Sequence, residues 1–251
     1  MSKIYDALKK AERGGGRFRR KRTAAKRIGS SRAKLLFHNI DEDLRRSMLH
    51  LKNSIDSALK SKESRVVMFT SASQGEGKTT IAASLSRIIA LGETDKVLLV
   101  DCSVQNPNLH RLFGVENDRG ILDLLADGLK LADVVKPVDE GILDVITTGQ
   151  ARDTEVMQPM FASGRMEAFI KESREIYDYV FIDTSAVIDA PETPIIGSFV
   201  DGIILVIFTG KTKREVIKRA IMMLEKLDGQ VIGTVLNRKK YYIPDFLYKR
   251  V

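Results

Sequence analysis

Cysteine and tryptophan are almost missing from these 251 residues: there is one Cys, Cys102, and no Trp. A lone thiol excludes an internal disulfide framework and fits a reducing compartment. Long apolar runs are missing too. The longest, Ile203 to Phe208, is far short of the roughly 20 residues a membrane helix needs. The opening MSKIYDALKKAERGGG has no apolar h-region and does not read as a secretory leader. His38, His50 and His110 are scattered without metal-ligand spacing. What remains, 43% apolar and 29% charged, reads as a globular protein able to bury one good core.

The net charge of +8 is not spread over the chain. Residues 1–34 hold 13 Lys/Arg against two acids, so the arm carries +11 and residues 35–251 sum to −3. Such a segment is expected to be a solvated, disordered arm drawn to anionic surfaces. A nucleic-acid partner is disfavoured, since no nucleic-acid-binding fold signature accompanies it. Ile4, Ala7, Leu8 and Ala11 recur at helical spacing, predicting a short amphipathic helix over 2–12. The expected organisation is an arm at 1–34, one domain at 35–240 and a tyrosine-containing tail at 241–251.

Within the domain the pattern alternates. DEDLRRSMLHLKNSIDSAL (41–59) carries Leu44, Met48, Leu51 and Ile55 on one helical stripe. Strands are predicted at 65–71, 96–101, 179–183, 202–208 and 230–237, with another over 141–148. Apolar strands separated by helical segments predict an α/β fold: a mostly parallel, doubly wound sheet with helices on both faces. Ligands in such sheets sit at the carboxyl ends of strands, where Ser71, Asp101, Asp183 and Asn237 fall.

Between the first strand and a helix lies ASQGEGKT (72–79), a P-loop pattern with alanine for the first glycine. Gly75 and Gly77 allow backbone N–H groups to turn inward around phosphate oxygens at a helix start. Lys78 supplies a charge for the β- and γ-phosphates, and the Thr79 hydroxyl a ligand for Mg²⁺. The candidate nucleotide-binding set is Gly75, Glu76, Gly77, Lys78, Thr79 and Thr80. Asp183 closes an apolar strand as a Walker B acid does. Asp101 closes another, as a second acid at the metal or as a helix cap.

SASQGEGKTT, VLLVDCSVQNPNLHRLFG, YDYVFIDTSAV and VDGIILVIFTGKTKREVIKRAIMMLEKL…VIGTVLN together resemble the bacterial tyrosine kinases of capsule and exopolysaccharide export, over about residues 40–248. The resemblance implies a P-loop ATPase related to partitioning ATPases, with ATP and Mg²⁺ as cofactors. It implies that Lys78, Asp101 and Asp183 act in catalysis, that Thr79, Asp101 and Asp183 hold the metal, and that Asn237 contacts adenine. A turn asparagine is the competing reading of Asn237. It further implies autophosphorylation at Tyr241, Tyr242 or Tyr248, residues that packing of the tail explains equally well. A membrane polysaccharide co-polymerase on a separate chain would be the partner, with the protein cytoplasmic and peripheral at the inner membrane.

The chain also departs from that pattern. The family's Asp-x-Asp-x-Arg box reads Asp101, Cys102, Ser103, Val104, Gln105. Ser185 and Ala186 replace the prolines that usually follow the Walker B acid. The Glu-x-x-Arg-x-x-Arg helix, associated with homo-oligomers, runs Glu42, Arg45, Met48. These changes keep a second expectation open, a nucleotide-gated pseudokinase acting as a binding module. A third, a surface-cycling partitioning ATPase, is disfavoured because Ser73 stands where those proteins carry a second lysine.

Overall fold

The computed structural model of the protein describes residues 41–150 and 154–238. The basic arm with its amphipathic segment, and Tyr241, Tyr242 and Tyr248, lie outside the described residues. The chain begins with helix α1 (Glu42–Ala58), opened by Asp41, whose carboxylate accepts a 3.4 Å hydrogen bond from the Asp43 N–H. Glu42 and Asp43 in its first turn suit the positive end of the helix dipole.

Strand β1 (Arg65–Ser71) follows, then α2 (Lys78–Ala90), β2 (Val97–Cys102), and three short helices, α3 (Leu109–Phe113), α4 (Ile121–Asp127) and α5 (Leu131–Val134). Next come β3 (Lys136–Val138), β4 (Leu143–Ile146), α6 (Thr154–Phe161), α7 (Gly164–Arg174), β5 (Tyr179–Thr184), α8 (Glu192–Gly197), β6 (Gly202–Phe208), α9 (Arg214–Glu225) and β7 (Val231–Asn237). The seven strands form one sheet in the order β3-β4-β2-β5-β1-β6-β7. Every pairing is parallel except β3–β4. The expected doubly wound sheet is therefore what forms, with strand ends within two residues of expectation. The antiparallel β3 is an addition: three residues containing Pro137 give no strand signal, and an edge is where proline is tolerated.

The near-continuous apolar strands bury both faces. Val66, Met68, Leu98, Val100, Val180 and Ile182 point to the side covered by α4–α9. Val67, Phe69, Leu99, Tyr179 and Phe181 point to the side covered by α1 and α2. Alternation decides where the acids go: Asp101 and Asp183 are register partners and share the α2 side with Leu99 and Phe181.

Met48 explains one departure of the sequence. It is 4% exposed and packed into the core on the α2 side, while Glu42 and Arg45 are exposed. An arginine in place of Met48 would have to bury its charge.

Candidate nucleotide site

The segment joining β1 to α2 adopts a phosphate-loop conformation. Gly75 (φ +80°) and Gly77 (φ +94°) both lie in the left-handed region, which side chains disfavour. Gly77 is doubly constrained, because a Cβ there would stand 2.2 Å from Nδ2 of Asn237. Gly77 also opens α2 without a side-chain cap, and no acid stands in the first turn. The leading N–H groups of a thirteen-residue helix are thus left for an anion. Lys78 is 9% exposed at the head of that helix, with Thr79 half-buried beside it and Thr80 exposed.

Asp183 is fully buried at the end of β5, and neither carboxylate oxygen has a hydrogen-bond partner. Burial, then the neighbouring Asp101 charge, raise its pKa from 3.8 to about 7. Lys78 and the Thr79 hydroxyl pull the other way, which places both close to the carboxylate. A buried, unpartnered carboxylate near a lysine and a threonine hydroxyl fits a hard divalent cation such as Mg²⁺. Ser185, in the place of a family proline, adds a buried hydroxyl oxygen that also lacks a partner.

Asp101 is arranged differently from the expectation of a free metal ligand. Its Oδ1 accepts from the Ser103 N–H (3.0 Å), and its Oδ2 from the N–H groups of Asn108 and Leu109 (both 3.0 Å). The carboxylate caps α3, the competing role of a strand-end acid. One acceptor position remains on Oδ1. Burial pushes its pKa up, against these three backbone donors and the nearby Thr148 hydroxyl. Of the two strand-end acids, only Asp183 has both oxygens free.

Asn237 and Glu76 also differ from simple ligands. The Asn237 Nδ2 donates to the Glu76 carbonyl (2.8 Å) and its Oδ1 accepts from the Arg238 N–H (2.8 Å), so the side chain braces the loop. One amide hydrogen is left over. The Glu76 side chain turns back into the protein and is 2% exposed, so its contribution to a ligand is confined to its backbone.

Sequence reasoning missed Glu192, which begins α8 and is 5% exposed; burial raises its pKa. Its charge is felt at Cys102, the neighbour of Asp101. Lying in a segment without strand or loop motif, it gave no signal.

Residues 67–242 match the family model of the CobQ/CobB/MinD/ParA nucleotide-binding domain. The Bacillus subtilis tyrosine-protein kinase YwqD is 32% identical over 190 residues, covering 76% of this chain and 79% of the relative. The chain belongs to the bacterial tyrosine kinase family. A second member of that family, tyrosine-protein kinase etk of Escherichia coli, is 27% identical over 187 residues, or 74% of this chain. This chain spans only a quarter of etk's length, against most of YwqD's. The structure of the E. coli ETK kinase domain superposes with a TM-score of 0.75 at 24% identity, covering 97% of this chain and 91% of that one. That likeness is one of fold. Among its described residues, no helix is long and apolar enough to cross a membrane.

Proposed function

We propose that this chain is an ATP-dependent tyrosine autokinase that regulates capsule or exopolysaccharide synthesis together with a membrane co-polymerase. The observation that carries the reading is the buried, unpartnered Asp183 carboxylate beside Lys78 and Thr79, under the uncapped start of α2. Thr79 and Asp183 would hold Mg²⁺, which neutralises charge on the β- and γ-phosphates. The α2 N–H groups and Lys78 bind the phosphates and fix the γ-phosphorus in line with an incoming hydroxyl. The tyrosine oxygen attacks that phosphorus, the bond to the β,γ-bridging oxygen breaks, and ADP leaves. The phenolic proton passes to the remaining Oδ1 position of Asp101, an acid whose raised pKa suits it to accept one.

Tyr241, Tyr242 and Tyr248 are the acceptors in this reading, and the +11 arm binds anionic lipid at the inner face of the membrane. A second reading, a nucleotide-gated binding module, is favoured by the three backbone bonds on Asp101 and by Ser103 in place of a carboxylate. Mass spectrometry after incubation with Mg·ATP and the partner's cytoplasmic segment separates the two. Phosphotyrosine in the wild type, increased by Ser103→Asp, supports the kinase; none in either protein leaves the binding module.

A further inference from the structure

The Glu76 carboxylate sits behind the phosphate loop without a cation, and among the described residues all its partners are neutral donors. Its Oε2 accepts from the Ser73 N–H (3.1 Å) and its Oε1 from the Phe208 N–H (3.3 Å) and the Thr212 hydroxyl. Three donors, one from the loop itself and two from the distant turn at Phe208 and Thr212, thus converge on one side chain buried to 2% exposure. We propose that Glu76 is a positioning residue that sets the strand-side half of the phosphate loop, and thereby how tightly the terminal phosphate of a nucleoside triphosphate is held. The inference rests on the nucleotide-binding reading of the loop.

The two halves of the loop have different supports. Gly77, Lys78 and Thr79 are held by α2 itself, through bonds such as Ile81 N–H to Gly77 C=O (3.1 Å). Their backbone N–H groups meet the α- and β-phosphates as a helix start does, while the Lys78 side chain reaches on to the β- and γ-phosphates. Ser73, Gln74 and Gly75 have no helix behind them. Ser73 is clamped instead, its N–H by Glu76 and its carbonyl by the Ser71 hydroxyl (2.8 Å). Asn237 holds the Glu76 carbonyl in turn. The backbone of this strand-side half is what remains, beside the Lys78 side chain, to face the γ-phosphate.

The anchor at the other end is rigid. The Phe208 carbonyl accepts from the N–H groups of Lys211 and Thr212 (both 3.2 Å), and the Thr209 N–H donates to the Asn237 carbonyl (3.0 Å). Lys211 and Arg238 lie over the Phe208 ring, 5.3 and 5.0 Å from its centroid. Glu76 therefore references the loop to a fixed turn at the end of β6. Only a carboxylate can do this, because the two backbone N–H groups fall on different oxygens. In glutamine one oxygen becomes an NH₂ that must face a donor.

The test is calorimetry on the full chain with Mg²⁺, using ADP and a non-hydrolysable ATP analogue on wild type, Glu76→Gln and Thr212→Val. Glu76→Gln is expected to weaken the triphosphate about tenfold while ADP changes by about twofold or less, the worth of one charge-assisted hydrogen bond. Thr212→Val, which removes one donor and keeps the carboxylate, should lower the triphosphate-to-diphosphate preference about threefold. It carries the test alone if Glu76→Gln does not fold. A purely structural role would weaken both nucleotides equally, and an unchanged preference in the folded variants would overturn the inference. Wild-type protein that bound neither nucleotide would overturn the nucleotide reading itself and the inference with it.

Discussion

Asp201 and Asp183, buried acids at opposite ends of the sheet, are treated in opposite ways. At the amino ends of the strands, Asp201 accepts from Arg174 (2.6 Å) and from the Val66 N–H (2.8 Å), with Lys62 at 3.2 Å. Burial pushes its pKa up, but these partners outweigh that and hold it below the usual value. Asp56 accepts from Tyr179 Oη (2.6 Å) and Lys52 (2.9 Å) and pairs with Arg65 (3.2 Å); its pKa too is lowered despite burial. At the carboxyl ends, Asp183 is buried with neither oxygen in a hydrogen bond of normal geometry, and burial leaves its pKa raised to about 7 against the Lys78 charge and Thr79 hydroxyl. Acids that hold the fold together have their partners in the chain. The acid that lacks them is the one the proposed function assigns to a cation.

Removing the unpartnered acid should have the largest effect. Asp183→Asn is expected to reduce Mg·ATP-dependent phosphotyrosine formation by roughly a thousandfold, the scale of losing an electrostatic anchor for a transition state. The same variant should raise the melting temperature of the metal-free protein at pH 8. The folded-state pKa of Asp183 lies above its unfolded value of 3.8, so stability falls as pH rises from about 4 to about 7. An unaltered melting temperature at pH 8 would show that Asp183 is not held in an unfavourable charged state.

Lys78→Met should weaken both ATP and ADP about a hundredfold, a loss of roughly 3 kcal/mol, because a buried point charge at the helix start is gone. Calorimetry is the measurement, and circular dichroism should report an intact fold. Unchanged affinity in a folded variant would remove the loop from nucleotide binding.

At the opposite end, Asp201→Ala should cost about 3 kcal/mol of stability by stranding Arg174 and the Val66 N–H, while nucleotide affinity stays within about twofold. Its pH dependence has the opposite sign to that of Asp183. A depressed pKa gives stability that is present above about pH 4 and lost as pH falls below it. Urea titrations of wild type and variant at pH 3 and pH 7 would show the difference narrowing in acid.

The smallest effect is expected at the rim, where Lys52→Met removes a half-exposed partner of Asp56. A change of about 0.5–1 kcal/mol in urea stability is expected, with none in nucleotide binding. Lys52 itself is raised to about 12, as its hydrogen bonds to Tyr179 and Asp56 outweigh the opposing effect of burial. A loss several times larger would mean that the cation–π contact with Tyr179, at 5.0 Å, matters more than the ion pair.

Much of this architecture can be read from local pattern. Apolar runs bounded by charge give β1, β2, β5, β6 and β7, because buried parallel strands need apolar residues on both faces. The loop glycines, Lys78 and Asp183 are legible for a related reason: the glycines and Lys78 join the end of β1 to the start of α2, and Asp183 lies within β5 near its end. What fails to show is long-range. Glu76 reads as a loop residue, since its partners Phe208 and Thr212 are far away in sequence and visible only once β6 lies beside β1. Asp101 reads as a metal acid because its caps, Asn108 and Leu109, follow a turn that carries no periodic signal. Helices α3, α4 and α5 are four to seven residues long, too short for a 3.6-residue period to establish itself.

Cys102 offers a practical return. The thiol is fully buried, and burial together with the charges of Asp101, Asp183 and Glu192 pushes its pKa well up. The native protein therefore presents no thiolate to maleimides or disulfide reagents. Since it is the chain's single cysteine, the wild-type sequence already serves as a silent background for site-directed labelling. Cysteines introduced at Gln74 and Lys211, each bearing a spin label, would turn the separation between the loop and the β6 turn into a measurable distance as nucleotide is added.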